Sequence, residues 1–116
     1  MVVDDDQGIR TSLRDVLELS GYEVWTFADG TSALAWLRNG GRAPQAILLD
    51  LVMAGMDGWA FREAQLKDPA VADIPVIVVS SADRWRERPI QADGYLEKPY
   101  LPPVMLAEIE RVRRRK

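Results

Sequence analysis

Short apolar runs alternate with helix-period segments along this chain, and that alternation narrows its fold more than any other feature. Met1-Val2-Val3 is an abbreviated apolar run that stops at acids. Ile9, Leu13, Val16, Leu17 and Ser20 then recur at helical spacing until Gly21 ends the pattern. Glu23–Phe27 reads as a second strand. Asp29 is placed to cap a second helix with Ala33, Leu34 and Leu37, which Asn39-Gly40-Gly41 terminates. Ala46–Leu49 is continuously apolar, as in a strand buried on both faces of a parallel sheet. Asp57-Gly58 opens a third helix to about Lys67, ended by Asp68-Pro69, and Arg62 interrupts its apolar stripe. Pro75–Val79 and Gly94–Glu97 are the last two strands. The polar stretch 82–92, broken by Pro89, allows at most a short helix. A closing helix runs from Val104 to about Arg114, with Val104, Leu106, Ile109 and Val112 available for one face.

Five strands alternating with five helical segments predict an α/β fold, a mainly parallel sheet with helices on both faces. Right-handed crossovers bring all five strand C-termini to one edge, where open parallel sheets bind their ligands. The chain has 116 residues, no repeat and no linker-like stretch, so residues 1–116 read as one domain.

Composition limits the chemistry available at that edge. An apolar fraction of 47% excludes a disordered chain. With no Cys and no His there is no disulfide, thiolate nucleophile, imidazole base or phosphohistidine on this chain. A formal charge of −3 gives no global basic field for nucleic acid or anionic membrane, and no apolar run could span a bilayer. The basic end, Arg111, Arg113, Arg114, Arg115 and Lys116, suits a last helical turn leading into a linker rather than a nucleic-acid reader. No signal peptide is visible, so a cytoplasmic location is expected.

Four of the five strands end in reactive or ion-binding residues: Asp4-Asp5, Asp50, Ser80-Ser81 and Lys98. Each has an ordinary reading by itself. Asp4-Asp5-Asp6 is a solvated turn whose last acid caps a helix, Asp50 a loop acid, Ser80-Ser81 a helix cap, Lys98 a surface charge and Tyr95 a half-buried strand aromatic. Gathered at one edge they read differently. Three carboxylates repel one another and call for a hard divalent cation, for which Mg²⁺ held by carboxylate, phosphate and water is the best match. The Lys98 ammonium suits one phosphoryl oxygen and the Ser80 hydroxyl another, which points to phosphoryl transfer.

Val2-Val3-Asp4-Asp5-Asp6, Leu48-Leu49-Asp50-Leu51-Val52-Met53, Met56-Asp57-Gly58, Val78-Val79-Ser80-Ser81-Ala82 and Tyr95-Leu96-Glu97-Lys98-Pro99 occur in that order. Together they resemble a response-regulator receiver domain over nearly the whole chain. The resemblance implies a flavodoxin-like (βα)5 fold with strand order 2-1-3-4-5. It makes Asp50 the acceptor of a phosphoryl group from a histidine kinase or phosphotransfer protein. It implies Mg²⁺ on Asp5, Asp50 and the backbone carbonyl of Val52, with Asp4 acting through a water. Lys98 would grip a phosphoryl oxygen, Ser80 would swing towards another, and Tyr95 would be the aromatic switch that follows Ser80. The Lys98-Pro99 bond is cis in the family and is expected to be cis here.

Several residues depart from the family pattern. Ala54 stands where proline is common, which removes a restraint on the loop after Asp50. Ser80 replaces the more frequent threonine. The stretch from Ser80 to Tyr95 is short, which predicts a curtailed fourth helix and unsettles the surface through which receivers usually dimerise on phosphorylation or meet an output partner. Val52 and Ala82 are apolar where polar residues speed loss of the phosphoryl group, so slow self-dephosphorylation is expected. Met1 lies almost directly on the acids, so trimmed ends or a start set too late are expected, and the domain reads as either stand-alone or cut from a longer regulator or hybrid kinase. A receiver-like scaffold that binds partners without using Asp50 is the alternative. An aspartyl phosphatase would need a second acid where Val52 stands.

Overall fold

A computed structural model of the chain describes residues 1–40 and 42–114. Gly41, read as part of the stop of the second helix, and Arg115 and Lys116 of the basic end lie outside the described residues. The elements are β1 (Val2–Val3), α1 (Gln7–Leu19), β2 (Thr26–Phe27), α2 (Gly30–Arg38), β3 (Ile47–Asp50), α3 (Gly58–Leu66), β4 (Val76–Ser80), α4 (Ala82–Glu87), β5 (Gly94–Glu97) and α5 (Pro102–Arg113). The strands form one sheet in the order β2-β1-β3-β4-β5, and every neighbouring pair is parallel. This is the expected order, and the fourth helix is the expected short one, with 6 residues.

Alternation along the buried strands divides the core into two layers. Ile47, Leu49, Val76 and Val78 face one side, where Ala33, Leu34 and Leu37 of α2 and Phe61 of α3 cover them. Leu48, Ile77 and Val79 face the other, under Leu13 and Leu17 of α1 and Met105, Ile109 and Val112 of α5. Because both faces are covered, β3 and β4 are apolar up to their last residues, Asp50 and Ser80. Three aspartates start helices as capping residues. Asp6 accepts from the Ile9 amide at 3.0 Å, Asp29 from the Ser32 amide at 2.7 Å and Asp57 from the Ala60 amide at 2.9 Å. Each such cap contributes about 1 kcal/mol.

Three expectations need correction. The second strand is shorter than Glu23–Phe27, because only Thr26 and Phe27 pair in register with Val2 and Val3 of an equally short β1. The last helix starts at Pro102, two prolines at its head being compatible with a first turn that needs no amide donors. Its inner face is Met105, Ile109 and Val112, whereas Val104 is 53% exposed. Spacing alone allowed either stripe.

Arg62 breaks the apolar stripe of α3 because it is buried in a polar network. Its Nε donates to the Gln91 carbonyl at 2.9 Å, its Nη1 donates to Gln65 Oε1 at 2.8 Å, and its Nη2 lies 3.6 Å from Asp93 Oδ2. Gln65 in turn donates to the carbonyls of Val71 and Ile74, each at 3.0 Å. Trp59, also on α3, donates to the Arg88 carbonyl at 2.9 Å, and the Arg88 guanidinium stacks on its ring at 4.8 Å. These bonds hold the segment between α4 and β5 against α3.

Gly58 is the tightest backbone approach in this part of the fold. A Cβ there would lie 2.6 Å from the Asp50 carbonyl oxygen and 2.7 Å from Leu51 Cα, both of them backbone atoms. The first turn of α3 is thereby set directly on the chain that presents Asp50. Gly58→Ala is expected to lower stability by about 2–4 kcal/mol, read from chemical denaturation, because the helix must shift rather than a side chain.

Candidate functional site

The parallel registers place the polar strand ends together. Asp50 is the last residue of β3 and pairs with Val79; Ser80 is the last residue of β4 and pairs with Glu97, next to Lys98. The Lys98 amide donates to the Ser80 carbonyl at 2.8 Å, extending the ladder by one step, and the Lys98–Pro99 bond is cis. Asp4 and Asp5 follow β1, the central neighbour of β3. Parallel ladders leave these side chains no freedom to move apart by sliding.

A cavity of about 300 Å³ opens at this edge, lined by Asp4, Asp5, Asp50, Ser80, Lys98 and Val52, with Asp6, Ile9, Ser81 and Arg84 completing its wall. Carboxylate oxygens of Asp4, Asp5 and Asp50 lie within 4.8 Å of one another. Lys98 Nζ sits 3.7 Å from Asp50 Oδ1 and 4.0 Å from Asp4 Oδ2. Asp4, Asp50 and Ser80 are buried, while Asp5 is exposed. Asp4 Oδ1 accepts from the Asp6 amide at 2.9 Å, and the Arg10 guanidinium donates to the Asp4 carbonyl at 2.7 Å. Asp5 Oδ2 accepts from the Ala54 amide at 3.3 Å. A proline at position 54 would have no N–H for that bond, so the departure from the family pattern ties the loop to Asp5.

Two candidate residues lie outside this lining. Tyr95 is 41% exposed; its hydroxyl donates to the Ile90 carbonyl and its ring rests 5.4 Å from that of Trp85 on α4. Ala82 is buried at the start of α4. Sequence reading missed Arg10 and Arg84, and it placed Gly58 at the head of a helix without its close approach to the Asp50 backbone. Arg84 had a visible signal, a cation a few residues past a strand end, but it was submerged in a stretch read only as polar.

The electrostatics of the site are unfavourable without a further cation. Asp50 is pushed up to about 6, first by burial and then by the charge of Asp4, while Lys98 and the Val52 amide pull the other way. Asp4 is also raised, burial again being the main cause and the Asp6 amide opposing it. Hard carboxylate oxygens this close together, with ionisation penalised, suit a small divalent cation. Within the described residues this is the one cluster of acids with such spacing.

The chain belongs to the response regulator receiver domain family. The family model matches residues 1–110. The chain is 36% identical over 119 residues to the response regulator MprA of Mycobacterium sp. (strain KMS), covering 99% of this chain and 50% of the relative. It is 35% identical over 119 residues to the probable transcriptional regulator ycf27 of Cyanophora paradoxa, covering 99% and 48%. The chain therefore spans about half the length of the curated relatives it matches. Among solved structures it is similar to the chemotaxis protein CheY4 of Vibrio cholerae, with a TM-score of 0.82, 31% identity and coverage of 96% and 94%. It is also similar to the signal receiver domain of a signal transduction histidine kinase from Syntrophus aciditrophicus, with a TM-score of 0.87, 26% identity and coverage of 97% and 87%.

The raised Asp50 gives this receiver a testable stability profile. An acid raised on folding binds its proton more tightly in the native state, so the native state is favoured at low pH. That advantage is lost as pH climbs from the ordinary carboxyl range through about 6. In chelator, Asp50→Asn is expected to be more stable than the parent at pH 7.5 by about 2 kcal/mol, a rise of roughly 5–10 °C in thermal midpoint. At pH 4 the two midpoints should coincide. Equal differences at both pH values would place the origin elsewhere.

Proposed function

We propose that this receiver accepts a phosphoryl group on Asp50 and signals its presence through a partner-binding surface. The observation that supports the reading is the convergence of Asp4, Asp5, Asp50, Ser80 and Lys98 on one cavity at the strand ends. In the proposed step an Asp50 carboxylate oxygen bonds to phosphorus as the phosphorus–nitrogen bond of a donor phosphohistidine breaks. The donor imidazole leaves with the bonding pair and Asp50 becomes an acyl phosphate. The donor would be a histidine kinase or phosphotransfer protein, which accords with a chain that has no His of its own.

Asp5, Asp50 and the Val52 carbonyl would hold Mg²⁺, with Asp4 supporting it through a water. Bound there, the ion would neutralise charge on the phosphoryl oxygens. Lys98 would bind one phosphoryl oxygen as a point charge, and Ser80 would donate its hydroxyl to another. Tyr95, outward and packed against Trp85, would turn inward once Ser80 is engaged, displacing α4. Residues 1–116 would act as one receiver unit in the cytoplasm, either stand-alone or within a longer regulator or hybrid kinase, and phosphorylation would drive binding of an output partner or formation of a dimer. No described helix is long and apolar enough to cross a membrane.

Incubation with acetyl phosphate and Mg²⁺ is expected to add one phosphoryl group by intact mass, and Asp50→Asn to add none while keeping the fold. Lys98→Ala should reduce the extent by about tenfold or more, since it removes the one ammonium at the acceptor. No addition to the parent chain would favour the scaffold reading. Val52 is half exposed at the cavity mouth and offers water no polar partner. The phosphorylated parent should therefore decay several-fold more slowly than a Val52→Asn, Ala82→Glu variant, followed by loss of the added mass. Equal decay would overturn the claim of slow turnover.

A further inference from the structure

The cavity has a second cation in its wall, and nothing above employs it. Arg84 lines the cavity from the first turn of α4. Its amide donates to the Ser81 carbonyl at 3.1 Å, so its position is tied to the end of β4, next to Ser80. Among the described residues, Arg84 and Arg86 are the arginines whose guanidinium groups have neither an ion pair nor a hydrogen bond. Arg86, on the same helix, does not line the cavity. A guanidinium that no acid engages, on a residue lining this cavity, is free to bind an oxyanion there.

Charge counting points the same way. Asp4, Asp5, Asp6 and Asp50 line the cavity against Lys98 and Arg84 alone. A phosphoryl group on Asp50 adds about two negative charges and three acceptor oxygens. Lys98 already lies between Asp50 and Asp4 and presents a single point charge. A guanidinium fork matches two oxygens of a tetrahedral oxyanion at once.

We propose that Arg84 is a second cationic ligand of the phosphoryl group on Asp50, carried on α4 so that its engagement draws the helix to the strand edge. The proposal rests on the reading of Asp50 as the acceptor. It supplies a direct tie between the modified aspartate and the short α4. Trp85, the next residue, packs its ring against that of Tyr95 at a tilt of 52°, so movement of Arg84 is transmitted to the aromatic pair.

The test uses the full chain with Mg²⁺ and beryllofluoride, a tetrahedral mimic of the acyl phosphate, its bound form read by ¹⁹F nuclear magnetic resonance. Arg84→Gln is expected to weaken binding by about threefold to tenfold, the range of a charge-assisted bond at a partly open site. Arg84→Lys should recover part of the loss, because charge is kept while the fork is not. Arg86→Ala should bind as the parent does. Arg84 is exposed and unpaired, so its variants should keep the parent's thermal midpoint without the probe. Hydrogen exchange adds a readout of the tie itself: amides of residues 82–88 should gain protection on binding in the parent and not in Arg84→Gln. Equal affinity of parent and Arg84→Gln would overturn the role of Arg84 and leave Asp50 as acceptor. Failure of the parent to bind the probe at all would overturn both.

Discussion

The organising constraint in this molecule is a repulsion that the sheet refuses to relax. Asp4, Asp5 and Asp50 are held with oxygens within 4.8 Å, and a single ammonium, 3.7 Å from Asp50, offsets them in part. Each carboxylate sits at or just past the end of a strand whose residues are buried on both faces. Separating them would mean breaking ladder bonds or pulling Val3, Leu49 or Leu51 out of the core. The hydrophobic layers thus maintain an electrostatic arrangement that unlinked side chains would abandon. What results is a site whose most favourable partners are a small hard cation and a transferable oxyanion with its own counter-charges.

The other side of the same economy is the region after β4. With α4 reduced to 6 residues, the face it would cover is closed by side chains reaching from α3. Arg62 is buried with its charge opposed by Asp93, while its Nε and Nη1 donate to the Gln91 carbonyl and to Gln65. Buried charge of this kind is tolerated only when it is paired and hydrogen-bonded, and no buried side-chain polar atom among the described residues lacks a partner. A consequence is that α3, the 88–93 segment and the start of β4 form one mechanical unit, since Asp93 also accepts from the Val76 amide.

Much of this was legible in the residues. The caps at Asp6, Asp29 and Asp57 act within four residues of chain, so their signals survive whatever the tertiary structure does. Continuous apolar runs at 47–49 and 76–79 meant strands covered on both faces, and a strand's end is read directly from where the run stops. Less local features were harder. Val104 and Met105 were interchangeable on periodicity, because a helix stripe can rotate by one position until something packs against it. The extent of β2 depended on how far β1 reached, which no residue of β2 encodes. Arg62 looked like a fault in a stripe because its partners, Gln91 and Asp93, lie 29 and 31 positions further along the chain.

Residue order and type were enough to establish the alternating α/β pattern, the parallel sheet and the identity of the acids, hydroxyl and amine at its strand ends, since each of these follows from short-range periodicity and from where polar residues interrupt it. Only the folded chain decided which groups share a cavity, which carboxyl is buried enough to hold its proton to about 6, and which of the described arginines are spent on structure while Arg84 and Arg86 are not. Those outcomes depend on through-space distance and on exclusion of water, and both are set by the packing of segments that the linear sequence keeps far apart.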